Sequence, residues 1–125
     1  MDTRSKIVTA AEAPRGAVLA VGSFDMLGAE QVRELQQIRE RHPAPQLIAA
    51  VLPDPDAVLG VQARAEMAAA LRMVDYVLIV EPAGRPGDLD GLVDRLQPAA
   101  LVRLQENGTR RLRRLIEDVQ HGQTR

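Results

Sequence analysis

The sequence predicts a doubly wound α/β sandwich, with a mostly parallel sheet of four to five strands and helices on both faces. Two features of the pattern carry this reading. Short unbroken apolar runs alternate with amphipathic stretches along the chain. The runs lack polar alternation, which fits strands buried on both faces, as in a parallel sheet. Size agrees, since 125 residues with 46% hydrophobic and 26% charged side chains suit one domain around one core.

The elements follow in order. Residues 1–12, with Lys6-Ile7-Val8, read as an arm or short leading element. Residues 17–21 (Ala-Val-Leu-Ala-Val) form the first strand, after Pro14-Arg15-Gly16. A helix follows Gly28, with Val32, Leu35 and Ile38 on one face. Residues 47–52 form the second strand, closed by Pro53. Met67, Ala70, Leu71 and Val74 sit at i, i+3, i+4 and i+7, the spacing of a second helix. Residues 76–80 form the third strand, closed by Pro82, and the Pro/Gly content of 81–87 marks a loop. Asp88 caps a third helix with Leu89, Leu92, Val93 and Leu96 on one face. Residues 99–102 form a shorter fourth strand. Leu112, Leu115, Ile116 and Val119 repeat the helical spacing once more, and 119–125 reads as a fraying tail. Right-handed crossovers turn this β-α order into a Rossmann-like three-layer sandwich.

Composition excludes several classes. Sixteen Lys+Arg against seventeen Asp+Glu give a net charge of −1, so bulk charge does not recruit nucleic acid. Aromatic residues make up 2%, Phe24 and Tyr76, so base-stacking platforms are lacking. With no cysteine there are no disulfides, thiol nucleophiles or Cys-ligated zinc. His42 and His121 lie far apart, and no apolar run has transmembrane length. The expectation is a cytoplasmic protein with no nucleic-acid and no membrane partner.

In an open parallel sheet, ligands bind beyond the carboxyl ends of the strands. The first such end reads Gly22-Ser23-Phe24-Asp25-Met26-Leu27-Gly28-Ala29-Glu30-Gln31 and leads straight into a helix. A helix start presents free N–H groups and a positive dipole end, which suit phosphate. Taken by itself the turn also reads as an ordinary βα connection. Asp25 fits either an ordering role at a phosphate turn or an Asx-type turn. Phe24 is expected to pack under the turn and Asp75 to act as a cap or turn group, while Asp54 and Asp56 read as a solvated loop in preference to a carboxylate pair facing the cleft. The Arg110, Arg111, Arg113, Arg114 cluster reads as a solvated helix face or as an anion or partner-protein site.

The stretch from Gly22 to Leu27 resembles the G-x-F-D-x-L-H-x-G-H signature of cytidylyltransferase-like nucleotidyltransferases, including heptose-phosphate adenylyltransferase and glycerol-3-phosphate cytidylyltransferase domains. Residues 64–77 are similar to that family's R-x-x-x-L-x-A-L-x-x-V-D-x-V segment. Residues 52–58 are similar to its V-N-S-D-x-S-V strand end. The likeness spans roughly residues 6 to 80. It implies nucleotide binding by Gly22, Ser23, Phe24, Asp25, Gly28, Gln31 and Arg64. It also implies a nucleoside triphosphate with Mg as possible ligand, and a homodimer. Thr109 and Arg110 match either the family's S/T-x-x-K/R helix start or a shortened preceding turn.

The departures decide the functional expectation. The family's two motif histidines are Gly28 and Gln31 here, and its motif glycine is Glu30. The basic loop before the R-x-x-x-L helix is nearly absent. The expectation is a degenerate domain, a pseudoenzyme that binds a nucleotide or a protein partner. One alternative is an active nucleotidyltransferase that moves a nucleotidyl group from an NTP onto a sugar or polyol phosphate with a rearranged site. Another is a scaffold subunit that binds no nucleotide.

Overall fold

The computed structural model describes residues 2–43 and 46–104. The fourth amphipathic segment, the tail, Thr109 and Arg110 lie outside the described residues. Within them the chain forms β1 (Val18–Gly22), α1 (Ala29–Arg41), β2 (Leu47–Val51), α2 (Val61–Ala69), β3 (Tyr76–Ile79), α3 (Leu89–Leu96) and β4 (Ala100–Arg103). The four strands make one parallel sheet in the order β3-β2-β1-β4. This is the Rossmann-like arrangement that the alternating runs predict. The chain winds outward from β1 to β3 and then crosses to the other side of β1, so the direction switches between β1 and β4.

Period-two alternation splits the sheet between two cores. Val18, Ala20, Leu47, Ala49, Val51 and Val77 face α1 and α2, where Leu35, Ile38, Ala65, Ala68 and Ala69 meet them. Leu19, Val21, Ile48, Ala50, Leu78 and Val80 face α3, where Leu92 and Leu96 cover them. Each fully buried Leu or Ile contributes about 1.5–3 kcal/mol, so these two layers supply most of the drive to fold. Val8, Ala10 and Ala13 also pack on the α3 side. The leading segment is therefore attached to the sheet. Ile7 bridges Val77 in parallel, the Val8 N–H donates to the Val77 carbonyl at 3.0 Å, and Lys6 Nζ donates to the Leu71 carbonyl at 3.1 Å.

The second helix departs from the expected face. Arg64, Ala65, Ala68 and Ala69 are buried, whereas Met67 and Ala70 are exposed. The helix ends at Ala69, and Leu71 and Val74 lie beyond it. Short alanine side chains let α2 lie close against β2 and β3, which outweighs the larger area that Met67 would bury. The first helix stops where its sequence says it should. His42 precedes Pro43 and is extended (φ −115°, ψ 105°), while Arg39 and Arg41 complement the dipole in the last turn. Asp88 caps α3 by accepting the Gly91 N–H at 2.9 Å, and Gln97 ends that helix in the left-handed conformation (φ 45°).

Candidate functional site

The cleft lies at the carboxyl ends of β1, β2 and β4, at the switch in winding direction. A cavity of about 520 Å³ opens there, lined by Gly22, Ser23, Asp54, Asp56, Arg103 and Leu104 among others. Its floor is tight. The Leu104 N–H donates to the Val21 carbonyl at 2.8 Å. A Cβ added at Gly22 would meet the Leu104 side chain at 3.2–3.5 Å, so Leu104 covers the strand end that glycine leaves open.

The turn from β1 into α1 holds two non-glycine residues at positive φ, Phe24 (57°) and Met26 (50°). Left-handed backbone costs an L-residue roughly 1–2 kcal/mol. Flanking interactions hold it in place. Phe24 is buried in the α1–α2 core, as expected for a residue packed under the turn. Asp25 is buried, and its carboxylate accepts the Val58 N–H at 2.8 Å and the Leu59 N–H at 3.0 Å. It therefore latches the turn to the loop before α2, a longer-range role than a local Asx turn. Met26 is left 55% exposed at the rim.

Arg64 is the most informative of the proposed site residues. It is 3% exposed. Its Nη1 donates to the Leu52 carbonyl at 2.8 Å and the Ser23 carbonyl at 3.0 Å, and its Nε to the Leu59 carbonyl at 3.1 Å. Nη1 also reaches Ser23 Oγ at 3.4 Å. Burial pushes the guanidinium pKa below its ordinary value, and the nearby Asp25 charge opposes that shift. The residue is a buried clamp on three main-chain segments.

The remaining polar groups are also engaged. Ser23 Oγ donates to Asp54 Oδ2 at 2.6 Å, the length of a charge-assisted O–H···O⁻ bond. Asp54 Oδ1 accepts the Asp56 N–H at 3.0 Å. Asp54 thus belongs to the cleft wall and not to a merely solvated loop. No single-residue signal announced this pair, because Ser23 and Asp54 meet only when β1 and β2 lie side by side. At the helix start, Gln31 Oε1 turns back to accept the Gly28 N–H at 3.0 Å, and Glu30 stands exposed in the first turn. Asp75, just before β3, accepts the N–H of Leu47 at the start of β2 at 2.8 Å and lies 3.6 Å from Arg39 of α1. Gly22, Ser23, Phe24, Asp25, Gly28, Gln31 and Arg64 are thus gathered around one turn. Thr109 and Arg110 lie outside the described residues. Among the described residues no group of three or more His, Asp or Glu side chains could hold a metal ion. Nor is any helix there long and apolar enough to cross a membrane.

No protein-family model matches the chain. No curated protein matches it significantly. Among solved structures, the crystal structure of the lipopolysaccharide core biosynthesis protein from Thermoplasma volcanium GSS1 is similar, with a TM-score of 0.57 at 17% identity. The match covers 74% of this chain and 98% of that one. At that identity the likeness establishes the shared fold alone, a parallel sheet with helices between its strands.

Proposed function

We propose that this chain is a nucleotidyltransferase-like domain without nucleotidyl-transfer activity, acting in the cytoplasm as a protein-interaction module. One observation carries the reading: the polar groups around the β1–α1 turn are bound to the fold's own main chain. Arg64 holds carbonyls, Asp25 holds amides and Gln31 holds its own helix cap. Nucleotidyl transfer needs positive groups where charge builds on the departing pyrophosphate. Gly28 offers no side chain there and Glu30 offers an anion. The cleft sets two carboxylates, Asp54 and Asp56, against one cation, Arg103, a balance that disfavours a triphosphate, and two carboxylates alone make a poor Mg site. A second copy of the chain is one eligible partner. The cavity at the strand ends favours a second reading, in which a nucleotide still binds without reacting.

A thermal-shift titration with ATP, CTP, GTP and UTP, each with and without Mg, separates the readings. A ligand at a hundredfold excess over its Kd stabilises the native state by roughly 2.7 kcal/mol, several degrees in Tm. The expected result is no base-selective shift at millimolar nucleotide and no pyrophosphate release with sugar or polyol phosphates. A base-selective shift would move the conclusion to the second reading, and pyrophosphate release would overturn both.

A further inference from the structure

Met26 carries two unfavourable features at once. It holds a left-handed backbone (φ 50°) that glycine or asparagine adopts more cheaply, and its apolar side chain stands 55% exposed. The Asp25 carboxylate ties its turn to the Val58 and Leu59 amides, and Val61 opens α2 just beyond them. Val58 is 66% exposed and Val61 39%. Three of the five large apolar side chains exposed among the described residues therefore sit on two segments fastened to each other. The latch holds both segments in place, so a partner meets a surface that is already ordered. The charge around them has one sign. Residues 22–31 and 52–63 hold Asp25, Glu30, Asp54 and Asp56, and no Lys, Arg or His. Glu30, four residues after Met26, and Asp56, two residues before Val58, are exposed. Arg64 follows on α2 but is buried, and the first exposed cation on α1 is Arg33. We propose that Met26, Val58 and Val61 form a docking surface for a cationic amphipathic segment of a partner protein, one that sets Lys or Arg beside its apolar side chains. The acidic rim opposes nucleic acid and anionic lipid, and it repels the same patch on a second copy. The inference rests on the protein-interaction reading and adds the chemistry of the partner.

The probes are two synthetic peptides, one of leucine and lysine at amphipathic helical spacing and its leucine–glutamate counterpart. Each is titrated into the full-length ¹⁵N-labelled chain, and amide shifts locate the contact. The expected result is saturable binding of the lysine peptide, with shifts concentrated at residues 25–30 and 56–62 and weakened by salt. The glutamate peptide should bind at least about fivefold more weakly. Met26→Asn keeps a residue suited to the left-handed backbone, and Val58→Thr keeps the shape of an exposed side chain. Each should weaken the lysine peptide by at least about fivefold without lowering the urea midpoint, while Leu101→Thr on β4 leaves binding unchanged. No saturable binding of the lysine peptide, or equal binding of both peptides, would overturn the proposal. Shifts centred on other elements would overturn it too, yet leave the protein-interaction reading standing. ATP with Mg added to the same sample tests that reading separately: saturable shifts across Gly22–Gln31 would overturn it and give the surface to a nucleotide site.

Discussion

Arg64 joins Ser23, Leu52 and Leu59 through their carbonyl oxygens, with Asp25 close enough to oppose the effect of burial on its charge. Replacing it by alanine leaves those acceptors without their donor and removes a counter-charge from Asp25. The expected loss is about 2–5 kcal/mol, the range for breaking a buried charged network. It should appear as a lower urea midpoint at unchanged slope. Arg64→Lys should recover little, because one ammonium cannot reproduce the guanidinium fork. Full stability in the alanine variant would mean that water satisfies these carbonyls and that the clamp is dispensable. The sequence showed that Asp25 and Arg64 stand at the strand and helix ends. It could not show their partners, which are main-chain atoms far away in the chain. A main-chain partner leaves no signature in a sequence, so Asp25 read only as a turn or phosphate-ordering group and Arg64 only as a nucleotide-binding candidate.

At the scale of elements, α3 was legible and α2 was not, for one physical reason. Capping and turn chemistry are local, and Asp88, three residues before Gly91, announces its own role. Which face of an alanine-rich helix turns inward depends on how close the sheet allows it, and the spacing of larger residues pointed to Met67 instead. Asp88 also supports a pH prediction. Bonds from the Gly91 and Gly84 N–H groups hold its pKa below the ordinary carboxylate value. A lowered folded pKa means that its contribution is complete above the unfolded value near 4 and is lost as pH falls through the folded value. Asp88→Asn keeps a capping oxygen but does not titrate. Its stability should therefore decline less steeply than the parent's below about pH 4. Parallel acid limbs in urea titrations at pH 2–5 would refute this contribution.

At the scale of the molecule, the order β3-β2-β1-β4 places β1 and β2 inside the sheet with neighbours on both sides. Both strands are buried along their whole length, whereas the burial of β4 alternates. Native-state hydrogen exchange should be slowest for the amides of β1 and β2 and faster for β4. Equal protection of β1 and β4 would mean that this edge is as well covered as the centre. The overall winding was readable because buried parallel strands announce themselves as apolar runs and handedness restricts the topology. The closing of the cleft by Leu104 over Gly22 was not, since it depends on how β4 seats against β1.

The Arg64 clamp also has a meaning in time. Its acceptors come from the end of β1, the end of β2 and the loop before α2, so it can close only after all three have converged. An interaction made that late lies beyond the folding barrier and acts on escape from the native state rather than on entry to it. What is fastened last on folding is the first to break on unfolding, so weakening the clamp is expected to speed unfolding and leave the folding rate nearly unaltered.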